Sequence, residues 1–374
     1  MSELEDSYRR VLRLLPASYR AERGEEMVAA FGESAGPDGA GDDAEEPRRP
    51  SWPEIASVAA LGVRLRLGGV GAAPRSFAWG ETVRLVAVLG LFFHAAVTFL
   101  YLGGALRLTA VPDGVPVEYA RPYATPEPWW TAVATLSGAA WVVAAAALAA
   151  ARVRLAKVLA VVALTAELGQ VVSTLTDPWW WDSLRARAPL ALLTIVPVIA
   201  LLAGFHRDAP PVRWSRRPGV WALLGGGALL AAALGALASR INVHPWAWPW
   251  VDMPGVACTP LLLGGVAYLA VHGGAARSAR TAEATPAAAA WPLALAILTA
   301  PVLCARLSVL RFDAPDAATH TMTLIGSAQC AALLLVGIAL LILGARALPR
   351  PPASPMAARR EDRETPAAGG RQRE

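Results

Sequence analysis

The chain has 374 residues, of which 55% are hydrophobic and 17% charged, with mean hydropathy +0.42 and formal net charge +5. Soluble domains carry about 25% charged residues, so this composition argues against a soluble or a disordered chain, and three cysteines rule out a disulfide scaffold. The 34 basic residues, all arginine except Lys157, are spread over loops and tails, with no basic helix interleaved with aromatics; that argues against nucleic acid as a partner.

Residues 1–35 read as a short cytoplasmic helical prefix. Its start, Met1-Ser-Glu-Leu-Glu-Asp, is acidic and polar, unlike a signal peptide, so an uncleaved first span serves as the membrane-targeting element. Leu4, Tyr8, Val11, Leu15, Tyr19, Met27 and Phe31 recur at helical spacing among Arg and Glu. Pro16 breaks the pattern into two short helices. Residues 36–50 (GPDGAGDDAEEPRRP from Gly36) have no apolar period and read as a flexible linker. Residues 51–72 read as an amphipathic juxtamembrane helix. Ser51 and Glu54 have capping-box spacing, and Pro53 sits in the first turn, where it is tolerated. This helix lies on the inner membrane surface or packs on the first span; its sequence fits both.

A transmembrane bundle follows over 80–345. Eight stretches reach the roughly 20 residues a span needs: Leu85–Leu106, Trp130–Ala151, Leu155–Thr174, Ala188–Phe205, Gly219–Ala238, Val256–His272, Ala287–Ala305 and Thr321–Ala345. The sixth is short enough to be re-entrant. The tail, 346–374, reads as disordered. With both termini inside, 27 basic residues fall on the cytoplasmic side and 7 outside, Arg306 among the latter; the three inner loops alone carry 9. That bias sets a plasma-membrane, multi-pass topology with cytoplasmic termini. The predicted fold class is therefore all-α: a polytopic helix bundle of about eight transmembrane helices behind a helical prefix.

Within residues 4–31, Tyr8-Arg9-Arg10, Leu14-Leu15-Pro16, Tyr19-Arg20 and Glu25-Glu26-Met27 resemble the helical prefix found before bacterial permease domains, and the HAAS-type signalling region found before small membrane modules. The resemblance covers under a tenth of the chain. It implies a cytoplasmic protein partner at 1–35, PadR-like regulators included, and no catalytic residue. The chain as a whole resembles multi-pass membrane proteins of high-GC bacteria.

Among candidate site residues, Glu167 is the sharpest. A carboxylate inside a span is costly and tends to face the bundle interior or a wet cavity. It stands roughly 18 Å along the third span at ~1.5 Å per residue, with Gln170, Thr174 and Asp177 following on one face. His94 lies at a matching depth, about 14 Å along the first span, and Gln329 about 12 Å in from the outer end of the eighth. These four, Glu167, His94, Gln170 and Gln329, form either a proton-linked or ligand site, or hydrogen-bonded glue between helices.

Eight of the fourteen tryptophans lie in three outer Pro-Trp clusters: Trp129 and Trp130; Trp179, Trp180 and Trp181; Trp246, Trp248 and Trp250. They read as interfacial anchors or as an outward aromatic face for a ligand, with Asp177, Asp182 and His244 as polar contacts. Gly225, Gly226 and Gly227 with Ala231 and Gly235 form a small-residue strip suited to close helix packing. Prolines 189, 197, 260, 292 and 301 fall inside spans and read as kinks.

The five histidines are scattered, and HExxH, CxxC, P-loop and GxSxG motifs are absent, so neither a metal, a cofactor nor a catalytic set is expected. Cys258, Cys304 and Cys330 read as small buried apolar residues. The expected function is a non-enzymatic membrane protein with a regulatory or assembly role through its prefix and ligand sensing at its outer face. The alternatives are a secondary transporter or permease component using Glu167, and an enzyme acting on lipid-linked substrates. Membrane lipid is an expected partner; the sequence sets no oligomeric state.

Overall fold

The computed structural model describes residues 3–34, 50–69, 74–109, 128–173, 175, 180–206, 209, 218–241, 244, 246–278, 286–312 and 316–349. The linker at 36–49 and most of the tail lie outside them. Among the described residues all regular structure is helical: α1 (Glu3–Leu12), α2 (Ala17–Ser34), α3 (Trp52–Arg66), α4 (Pro74–Thr109), α5 (Pro128–Ala149), α6 (Val153–Ser173), α7 (Trp180–Gly204), α8 (Pro218–Ile241), α9 (Trp248–Val251), α10 (Met253–Ser278), α11 (Pro286–Ser308) and α12 (Ala317–Ala347).

Seven helices, α4 to α7 and α10 to α12, are long and apolar enough to cross a membrane. This is a multi-pass membrane protein. The fifth expected span falls in α8, a 24-residue helix whose described apolar part is the shorter Gly225–Ala238. The sixth is not re-entrant: α10 runs unbroken for 26 residues with Pro260 inside it.

The prefix folds where its apolar period says it should. Arg13, Leu14 and Leu15 donate three residues back, to Arg10, Val11 and Leu12, which tightens the end of α1 ahead of Pro16. Tyr8, Leu12, Leu15, Val28 and Val58 form a small core, and Tyr8 stacks on Phe31 with centroids 4.1 Å apart. The Ser51 amide donates to Glu54 at 2.7 Å, the expected box contact at the start of α3. Helix α3 lends Val58 to the prefix core, so it is a third prefix helix first; its C-terminal end also meets α4. Arg66 Nη1 donates to the Leu14 carbonyl at 2.6 Å. Gly80 lets α4 sit directly on the Leu67 carbonyl at the end of α3, where a Cβ would overlap it.

Helix α4 is the centre of the bundle, packing on α5, α7, α8 and α11. The main core is rich in alanine, with Ala87, Ala144, Ala145, Ala160 and Ala163 around Leu91, Leu148 and Leu201. Lipid gives no hydrophobic drive between helices, so small side chains that permit close backbone approach carry the association. The hairpin between α5 and α6 closes tightly: Ala151 adopts a left-handed φ of 58°, and the Arg152 amide donates back to Ala147 at 2.7 Å. The end of α12 returns beside the start of α4, where Ala347 and Leu348 pack near Ala78.

The glycine strip works in part. Gly235 lies against the Leu100 carbonyl and Gly103 against that of Ala232, bringing α4 and α8 together. Gly225, Gly226 and Gly227 are exposed with nothing within 4 Å of a would-be Cβ, so they make no close helix contact among the described residues. Cys258 and Cys330 are buried as expected; Cys304 is exposed, because it falls on the outer side of α11.

Candidate functional site

Two polar clusters lie inside the bundle. The first is built on Glu167 of α6. Trp141 of α5 donates its indole Nε1–H to Glu167 Oε1 at 2.8 Å, and Thr194 of α7 donates its hydroxyl to Oε2. One carboxylate therefore ties three helices together. His94 of α4 is buried and stacks on Trp141 with ring centroids 4.6 Å apart, while its Nε2 meets the Leu193 carbonyl at 3.2 Å. Glu167 and His94 both contact Trp141, yet among the described residues the two side chains do not bond to each other. The indole of Trp141 stands between them. Gln170 sits nearly one turn further along α6, half-buried, its carbonyl accepting from Ser173 Oγ at 2.8 Å.

The second cluster joins residues far apart in sequence. Arg306, in the last turn of α11, is only 2% exposed. Its Nη1 donates to Asp252 Oδ2 at 2.6 Å and its Nη2 to the Pro249 carbonyl at 3.2 Å. Gln329 of α12 is also buried, and its Nε2 donates to the same Pro249 carbonyl at 3.0 Å. Asp252 Oδ1 accepts the Gly255 amide at 2.8 Å at the start of α10. Arg306 Nε and Gln329 Oε1 are buried with no hydrogen-bond partner among the described residues. Gln329 thus belongs with Arg306, away from Glu167 and His94.

Arg306 is accordingly not the outer-loop charge that its place beyond the seventh apolar stretch implies. It is an interior group, paired because an unpaired buried guanidinium is prohibitively costly. The pair and the two bonds to Pro249 clamp the four-residue helix α9 onto α11 and α12. Sequence reasoning missed Arg306, Asp252, Trp141 and Thr194. The available signal was Asp252, the last acid before a 20-residue apolar stretch, with an arginine one residue beyond the end assigned to the next span.

The aromatic face is only partly described. The side chains of Trp129, Trp130, Trp179 and Trp180, together with Asp177 and the side chain of Asp182, lie outside the described residues. Trp181, Trp246, Trp248 and Trp250 are 40–61% exposed, and His244 stacks on Trp246 at 5.9 Å. Among the described residues there is no group of three or more His, Cys, Asp or Glu that could hold a metal ion.

These observations define a class: an all-α, multi-pass membrane protein with a helical prefix and two buried polar clusters. The sequence matches no family model, and no curated protein or solved structure is detectably similar to it.

Proposed function

We propose that this chain is a non-catalytic protein of the plasma membrane, with both termini cytoplasmic, that serves a regulatory or assembly role through its prefix. One observation carries the reading. The three prefix helices share their own apolar core and meet the bundle through a close glycine joint at the start of α4, the helix on which most of the bundle packs. A protein bound to α1 or α2 therefore acts on the bundle through its central helix. The close position of the α12 end and the α4 start supports termini on one side. The resemblance of residues 4–31 supports a cytoplasmic regulator as the partner, and the exposed Trp181, Trp246 and Trp248 supply an outer face for ligand sensing.

A photo-crosslinker at exposed Arg13 should trap a cytoplasmic protein in intact cells, while one at Trp181 should not. A chain lacking residues 1–35 should insert normally and lose that partner. Exclusively lipid adducts at Arg13 would overturn the reading.

The transporter alternative has less support. Both Glu167 oxygens are engaged by Trp141 and Thr194, which suits a carboxylate that holds helices together.

A further inference from the structure

A cavity of about 680 Å³ lies between α4, α7, α8, α10 and α11, with α9 at one end. Its lining is almost wholly apolar. The side-chain hydroxyl on its wall, Thr259 Oγ1, is already committed to the Gly255 carbonyl at 3.0 Å. Pro197, Pro260 and Pro301, from three different helices, all face into it. Each proline by itself implies only a kink; the fold gathers three of them around one space.

Such a space does not suit water, and left empty it costs the molecule the contacts of its walls. Interiors hold few voids larger than a water molecule, and a void forfeits the dispersion contacts of its walls. Water needs two to four polar partners, which this wall does not offer. The occupant must therefore be apolar. Nothing on the wall is placed to recognise an ion, a sugar or a headgroup.

The way in is sideways. Helix α8 packs extensively on α4 alone, and α10 packs on α11 and α12, which leaves a cleft between α8 and α10. Its rim carries Leu230, Leu234 and Leu263, all exposed. The end of the cavity is closed by Trp250 and Val251 of α9, the short helix that Arg306 and Gln329 hold by the Pro249 carbonyl. Lining residues on α4 run from Leu89 to Leu100, roughly 16 Å at ~1.5 Å per residue. One leaflet of hydrocarbon is about half of the ~30 Å core. The cavity has about the length of one leaflet, opens sideways between α8 and α10, and has Trp250 and Val251 at one end.

We infer that this cavity is a binding site for one acyl chain of a bilayer phospholipid, which enters laterally between α8 and α10 while its headgroup stays outside. The site selects for the chain and not for the headgroup, since its wall is apolar and neither Arg306 nor Gln329 lines it.

The test uses the full-length protein in vesicles of phosphatidylethanolamine and phosphatidylglycerol, doped with a phosphatidylcholine bearing a mid-chain diazirine. Photolysis should place adducts on the buried inner wall, at Leu193, Pro197, Leu298 and Val302, as well as on bulk-exposed residues such as Leu335. Ala238→Phe, or Ala96→Phe on the opposite wall, should lower inner-wall labelling about tenfold, the factor that ~1.4 kcal/mol of lost contact corresponds to. If neither variant folds, the wild-type adduct map still decides. Adducts confined to Leu335, Leu341 and similar outward residues would overturn the site. So would inner-wall labelling by a diazirine fatty acid but not by the phospholipid, or a copy-to-copy cross-link across the cleft with the inner wall unlabelled.

Discussion

Glu167 shows how little a single intramembrane carboxylate says until its neighbours are known. Each oxygen takes one donor, and each donor comes from a different helix. Glu167→Ala should lower stability by about 1 kcal/mol, since interhelical hydrogen bonds in membranes are modest, whereas Glu167→Gln, which keeps an acceptor for Trp141, should stay near wild type; thermal unfolding in detergent reads both. Arg306 should matter more. Arg306→Met strands the Asp252 carboxylate, while the Pro249 carbonyl keeps its bond from Gln329, and breaking a buried pair from one side costs roughly 3–5 kcal/mol. The double variant Arg306→Met with Asp252→Leu should be milder than Arg306→Met alone, and a double variant as unstable as the single one would deny that the penalty is a stranded charge. Asp316 offers a third case, outside the bundle. It caps α12 by accepting from the Thr319 amide and hydroxyl, both at 2.7 Å, and those bonds hold its carboxyl below the usual carboxylate range. Because the folded value is depressed, the cap's contribution is present above the unfolded carboxylate pKa and fades as pH falls through the folded one. A spin label at exposed Ala317 should therefore gain mobility on acidification, and Asp316→Asn, which caps without titrating, should abolish that response.

At the scale of elements, the decisive contacts are backbone to backbone. Helices α4 and α8 approach closely because Gly103 and Gly235 leave room for the carbonyls of Ala232 and Leu100. A Cβ at Gly235 would overlap the Leu100 oxygen, so Gly235→Leu should push α8 off α4. Double electron–electron resonance between labels at Leu102 and Leu237 should report the widening, while Gly226→Leu, at an open position, should leave the distance unchanged. Local pattern makes the helices legible: Pro16 parts α1 from α2, and the Ser51–Glu54 spacing starts α3. Which glycines pack was not legible. Gly225–Gly227 and Gly235 lie on the same helix, and only the position of α4 distinguishes them.

At the scale of the whole molecule, the first and last long helices meet at one end of the bundle, α12 finishing beside the start of α4. Topology reporters fused after Trp180 and after Arg216 should read opposite compartments, as the arginine bias predicts; a common compartment would reverse the assignment of sides. The all-α class, the multi-pass character and the extent of nearly every span were determined by the sequence alone. Chain length against bilayer thickness and the hydropathy of each stretch are local quantities, and a bilayer acts on each stretch separately. The tertiary structure alone decided that Arg306 is interior, that Trp141 separates His94 from Glu167, and that three prolines surround one cavity. Each depends on which helices become neighbours, and in lipid that choice rests on close packing and a few polar contacts between residues distant in the chain, for which hydropathy carries no signal.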